Sequence, residues 1–159
     1  MDIKVAQPFC TGIRHLTTAT NFMKKSYTIL YVDDDHDDLL LITEAFEQYT
    51  DHLKVVHADN GFEALQALAK MDSQGSLPCL IILDINMPIM DGKVTLSKIK
   101  DSAKYVDIPV VMFSTSSNKA DKTYAENLGA DFIIKPVTYR DMENLVSQFA
   151  QRCRLAVAS

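Results

Sequence analysis

Four places in the chain carry a chemically useful side chain directly after a short apolar run. Asp33 and Asp34 follow residues 27–32, Asp84 follows 79–83, Ser114 follows 110–113, and Lys135 follows 132–134. Three carboxylates gathered at one point repel one another unless a hard divalent cation with oxygen ligands neutralises them. Mg²⁺ does so while keeping waters that an incoming phosphoryl group can displace. A serine hydroxyl and a lysine ammonium beside them would receive the oxygens of a phosphoryl group carried on one of the carboxylates. The product of such chemistry is an aspartyl phosphate.

The elements that must position these residues are legible around them. The run Cys79, Leu80, Ile81, Ile82, Leu83 has no alternation of polar and apolar positions, as expected of a parallel strand covered on both faces, and Met87-Pro88 and Asp91-Gly92 close it off. In open α/β sheets ligands bind outside the carboxyl ends of the strands, so Asp84 stands where chemistry is expected. The first strand, 27–32, ends in Asp33-Asp34-Asp35, and a helix starting near Asp37 or Asp38 carries Leu39, Ile42, Phe46 and Tyr49 on one face. A second strand spans 53–57. Asn60 with Glu63 makes a capping box for a helix carrying Phe62, Leu65, Leu68 and Ala69. A weaker helix carries Val94, Leu96 and Ile99, and a fourth strand runs over 110–113. The next helix, 119–128, stops at Gly129; a fifth strand covers 132–134; and Thr138 and Asp141 cap a last helix facing inward with Met142, Leu145, Val146 and Phe149. Five β-α units in alternation predict an α/β domain with a parallel sheet and right-handed crossovers.

Size and charge narrow the functional classes. A chain of 159 residues, 47% apolar and 23% charged, fits one domain, expected over residues 26–152. Residues 1–25 are expected to form an arm, either disordered or an upstream extension with Met23 as the natural start, and 153–159 a tail. The net charge of −5 without a basic stripe argues against nucleic acid as a partner. No run approaches the ~20 apolar residues of a membrane span, and the first residues lack the charged-then-apolar layout expected of a secretory signal. Cys10, Cys79 and Cys153 lie far apart without a paired spacing, so the expectation is inert, reduced thiols in a cytoplasmic protein. His15, His36, His52 and His57 show no ligand spacing and read as bystanders, and Asp35, His36, Asp37 and Asp38 as a solvated acidic helix start favoured by the helix dipole.

Taken together, the ordered set resembles the receiver domains of two-component response regulators, of the CheY-like single-domain type, over residues 27–151. The resemblance rests on VDDD after the first strand, LDINMPIMDG after the third, Ser114 after the fourth, and the Lys135-Pro136 pair. It implies a doubly wound, flavodoxin-like five-stranded parallel sheet of order 2-1-3-4-5 with five helices. By this resemblance Asp84 is the phosphoacceptor; Asp33, Asp34, Asp84 and the backbone carbonyl of Asn86 hold Mg²⁺; and Ser114 and Lys135 contact the phosphoryl group. Ser114 and Phe132 form the switch, with Thr115 the alternative hydroxyl should the strand slip by one residue. A cis bond between Lys135 and Pro136 is also implied, and Asn86 and Ser116 are implied to tune the lifetime of the phosphoryl group.

The implied partners are a sensor histidine kinase or phosphotransfer protein as donor and an unidentified downstream protein, with no membrane and no nucleic acid. With Ser159 last, the response is expected to act through that partner or by passing the phosphoryl group onward. Such a receiver promotes its own phosphorylation and dephosphorylation without being an enzyme for others. The alternative is a small Mg²⁺-dependent aspartyl-phosphate phosphohydrolase of the haloacid dehalogenase type, whose usual second acid is replaced here by Asn86. A flavodoxin-like flavin carrier is disfavoured, because three aspartates after the first strand would repel the flavin phosphate.

Overall fold

A computed structural model describes residues 26–156. The arm expected over residues 1–25 lies outside the described residues. In chain order the elements are β1 (Tyr27–Val32), α1 (His36–Phe46) with a 3₁₀ turn (Glu47–Tyr49), β2 (Leu53–Ala58), α2 (Gly61–Ser73), β3 (Leu80–Asp84), α3 (Gly92–Lys100), β4 (Val110–Ser114), α4 (Lys119–Asn127), β5 (Asp131–Ile134) and α5 (Tyr139–Ala156). The strands form one sheet in the order β2-β1-β3-β4-β5, every pair parallel. This is the doubly wound, flavodoxin-like arrangement expected from the sequence.

Parallel strands buried on both faces divide their side chains by alternation. Ile29, Tyr31, Leu80, Ile82, Val111 and Phe113 point to one face and pack with Ile42 and Phe46 of α1 and Val146 and Phe149 of α5. Leu30, Val32, Ile81, Leu83, Val110 and Met112 point to the other and pack with Leu68, Leu96, Ile99 and Ala125. All five residues of β3 are buried, as are all five of β4, so Asp84 and Ser114 are presented by fully enclosed strands, unlike the edge strand β5. Truncating one of the β3 isoleucines would cost roughly 2–5 kcal/mol.

Helix ends follow the sequence signals closely. The Asn60 side chain accepts from the Glu63 amide at 3.0 Å, while the Glu63 carboxylate accepts from the Asp59 amide at 3.2 Å, a capping box shifted by one donor. Thr138 Oγ1 accepts from the Asp141 amide and donates to its carboxylate. Gly129, at φ +69°, ends α4 in the left-handed region that glycine adopts without cost.

Several expectations need correction. The first helix begins at His36, capped by Asp35, whose carboxylate accepts from the Asp37 and Asp38 amides. On α2 the inward stripe is Gly61, Ala64, Leu68 and Met71, spaced 3-4-3, which turns Phe62 and Ala69 outward. On α3 the stripe is Gly92, Thr95, Leu96 and Ile99, and Val94 is exposed. No described peptide bond is cis, so Lys135-Pro136 takes the ordinary, lower-energy trans form.

The cysteine reading is overturned as well. Cys79 and Cys153 are joined in a disulfide, their Cα atoms 5.1 Å apart across 74 residues of sequence. The inward stripe of α5, from Met142 through Phe149 and Ala150, continues to a fully buried Cys153 and sets it over the start of β3. The same helix runs on to Ala156, so the boundary expected after residue 152 falls within α5.

Candidate functional site

The C-terminal ends of β1, β3 and β4 and the residue after β5 converge on one patch. There Asp33, Asp34 and Asp84 each offer a carboxylate oxygen, all within 4.8 Å of one another. Asp33 and Asp84 are buried and Asp34 is exposed, so the cluster is walled by protein on one side and open to water on the other. Oxygen-only donors of like charge, one of them solvent-facing, suit a hard divalent cation that retains waters. The residues present therefore fit Mg²⁺.

Lys135 joins the acids from the end of β5, two strands away from β3. Its Nζ lies 2.7 Å from Asp33 Oδ2, 2.8 Å from Asp38 Oδ2 and 3.0 Å from Asp84 Oδ1, with the side chain 9% exposed. The ring of Phe113 lies 5.8 Å from Nζ and covers the ammonium. Burial pushes the Lys135 pKa down, but hydrogen bonds to Asp33 and Asp38 and the charges of Asp33 and Asp84 outweigh it, and the net direction is up. Burial likewise dominates at Asp84 and raises its carboxyl; Lys135 pulls it back, Asp33 adds to the rise, and the Asn86 amide, donating to Oδ2 at 2.8 Å, opposes it.

Ser114 is buried at the end of β4, while Thr115 is exposed. Its Oγ accepts from the Ser116 amide at 3.0 Å, which leaves the hydroxyl proton free to point elsewhere. The ladder to β5 holds the neighbouring position, because the Lys135 amide donates to the Ser114 carbonyl at 2.7 Å. Phe132, on β5, and Tyr124, on α4, are half-buried against the same core, and the Tyr124 hydroxyl donates to the Lys93 carbonyl.

The loop after Asp84 is tightly wound. A Cβ built on Gly92 would stand 2.1 Å from the Asp84 carbonyl oxygen, so only glycine lets α3 start this close to the acceptor strand. Ile89, in the same loop, holds φ +66° with its side chain in solvent, a conformation that costs an L-residue roughly 1–2 kcal/mol.

Three further contacts were not read from the sequence. Asp38, taken there as part of a solvated helix start, is a direct partner of Lys135. Tyr31 donates its phenol to Asp33 Oδ2 at 2.7 Å, and burial together with Asp33 raises the pKa of that phenol. His57, read as a bystander, sits with Nε2 2.8 Å from the Asp33 carbonyl oxygen. Nothing in the spacing pointed to any of the three. A cavity of about 520 Å³ lined by Tyr27, Thr28, Pro78, Cys79 and Pro109 opens at the opposite end of the sheet and includes none of these residues.

The sequence model of the response regulator receiver domain matches residues 29–147. The probable methanogenesis regulatory protein FilR2 of Methanothrix harundinacea is 31% identical over 128 residues, covering 79% of this chain and 82% of its own. Among solved structures, the phosphorylated cyanobacterial phytochrome response regulator RcpA superposes with TM-score 0.72 at 32% identity, over 79% of this chain and 92% of that one. The Mn(2+)-bound form of response regulator Rcp1 superposes with TM-score 0.65 at 29% identity, over 76% and 88%. Two longer relatives carry enzyme names, but the chain spans only 27% and 34% of them, and their activities are not carried to it. Among the described residues no helix is long and apolar enough to cross a membrane. The chain belongs to the response regulator receiver domain family, the phosphorylation-dependent signalling domains of two-component systems.

Proposed function

We propose that Asp84 is the phosphoacceptor, that Asp33, Asp34, Asp84 and the backbone carbonyl of Asn86 hold Mg²⁺, and that Ser114 and Lys135 bind the transferred group. The observation that carries this reading is the gathering of three carboxylates within 4.8 Å, with Lys135 bonded to two of them. When bound, Mg²⁺ supplies the positive charge that offsets repulsion between a carboxylate and an anionic phosphoryl donor. An Asp84 oxygen then forms a bond to phosphorus as the bond from phosphorus to the donor's histidine nitrogen breaks. Lys135 favours the ionised form of Asp84 before transfer and takes up charge on the phosphoryl oxygens afterwards. Ser114 donates its free proton to one of those oxygens. Asn86 and Ser116 flank the acceptor and set how readily water reaches the phosphorus.

The donor is a sensor histidine kinase or a phosphotransfer protein, and the readout is a partner that recognises a changed surface. If Ser114 shifts toward the phosphoryl group, Phe132 can follow into the space it leaves, a shift between two pre-existing arrangements. The face that changes is then α4, β5 and α5, where Ile134, Val137 and Tyr139 are already exposed. A cytoplasmic site of action fits an ATP-fed donor. The Cys79–Cys153 bond is the observation that pulls the other way, since oxidising compartments favour such links. Nothing in the site favours the phosphohydrolase alternative, whose second acid would occupy the position of Asn86.

Transfer of label from purified phospho-histidine kinases tests the reading. At least one donor should label the parent rapidly in Mg²⁺ and leave Asp84→Asn unlabelled; equal labelling of both would overturn it.

A further inference from the structure

We propose that Asp38 is a positioning residue for Lys135, the carboxylate that holds the ammonium when Asp33 and Asp84 turn to the divalent cation; this rests on the metal reading above. The three N–H groups of Lys135 are met by three carboxylates, at 2.7, 2.8 and 3.0 Å. Two of these, Asp33 and Asp84, belong to the cluster that fits the cation, and Asp38 does not. A lysine bound to the cation's own ligands competes with it for the same lone pairs and repels it. With its side chain 9% exposed, Lys135 cannot hand those bonds to water and needs another acceptor.

Asp38 is built to be that acceptor. It lies in the first turn of α1, where side chains lean toward the helix N-terminus and so toward the strand ends. The Asp35 cap fixes its backbone, accepting from the Asp38 amide at 3.3 Å. Its side chain is 27% exposed against 1% for Asp33, so it can take a larger share of the ammonium without stranding a buried charge. Removing Asp38 leaves Lys135 locked on Asp33 and Asp84, and cation affinity falls.

Loss of any nearby negative charge would also weaken cation binding, so a single substitution does not decide the matter; a double-mutant cycle does. Calorimetric titration of the full chain with Mg²⁺ is compared for the parent, Asp38→Asn, Lys135→Met and the double variant. Thermal melts in chelator confirm that each is folded. Asp38→Asn should weaken Mg²⁺ binding by about tenfold in the parent and by less than about twofold in the Lys135→Met background. Lys135→Met alone should tighten binding, and Asp38→Glu should restore much of the affinity lost in Asp38→Asn. Equal weakening in both backgrounds, or none in the parent, overturns the role of Asp38 while leaving the metal reading intact. A parent that binds no Mg²⁺ overturns the metal reading and this inference with it.

Discussion

The carbonyl oxygen of Asp84 and the α-carbon of Gly92 approach so closely that a methyl group on Gly92 would stand 2.1 Å from that oxygen. Backbone cannot yield as a flexible side chain can. The start of α3, tied to the Ile85 carbonyl through the Gly92 amide at 2.9 Å, would have to move and take the acceptor loop with it.

Gly92→Ala should therefore destabilise the domain by roughly 1–3 kcal/mol, the usual range for overpacking, and slow phosphorylation of Asp84 more than its stability loss explains. Denaturant unfolding and phosphorylation rates on the same samples check this. A variant matching the parent in both would show that α3 shifts freely.

Asp84 makes stability depend on pH in a definite sense. Burial raises its folded-state pKa above the ordinary value of 3.8, so the folded protein holds the proton more tightly than the unfolded chain. Its contribution is fully present below about pH 4 and is lost as pH rises through the folded value. Asp84→Asn, which stays neutral, should then melt at a higher temperature than the parent at pH 7 in chelator, with the gap closing as pH falls toward 4. Added Mg²⁺ should raise the parent's melting temperature much more than the variant's. A variant less stable than the parent by a pH-independent margin would count against this account of Asp84.

How far the sequence reached is clearest at the strand ends. Asp33, Asp34, Asp84, Ser114 and Lys135 were legible because a buried parallel strand reads as an apolar run, and the first polar residue after it marks the edge where strands converge. Ser114 is buried and Thr115 exposed, a difference in facing that the run alone left open. Asp38 was misread because its partner lies 97 residues away, and a helix-start acid looks the same whether it meets water or a lysine. Cys79 and Cys153 were missed for a like reason: their pairing depends on where α5 crosses β3, which no local spacing encodes. Phe62 and Val94 faced the wrong way in the reading because small Gly61, Ala64, Gly92 and Thr95 line the close contacts, and hydrophobic counting overlooks small residues.

The disulfide yields its own test. Three cysteines less the two joined leaves one thiol for a labelling reagent in unfolded, unreduced protein, and reduction should reveal all three. With its ends 74 positions apart in sequence, the link should stabilise the domain by about 4 kcal/mol on chain-entropy grounds, so Cys153→Ala should lower the unfolding midpoint markedly under non-reducing conditions. Three thiols without reductant would show that the bond does not form.

The central claim is that Asp84 alone accepts a phosphoryl group, in a reaction the domain itself promotes with Mg²⁺. Intact-mass measurement after incubation with acetyl phosphate tests it most directly. The parent should gain one phosphoryl group with Mg²⁺ and none with chelator, Asp84→Asn should gain none, and Asp34→Asn should gain it slowly. Phosphorylation of Asp84→Asn to the parent's extent, or a parent that binds Mg²⁺ yet takes no phosphoryl group from any donor, would contradict the account.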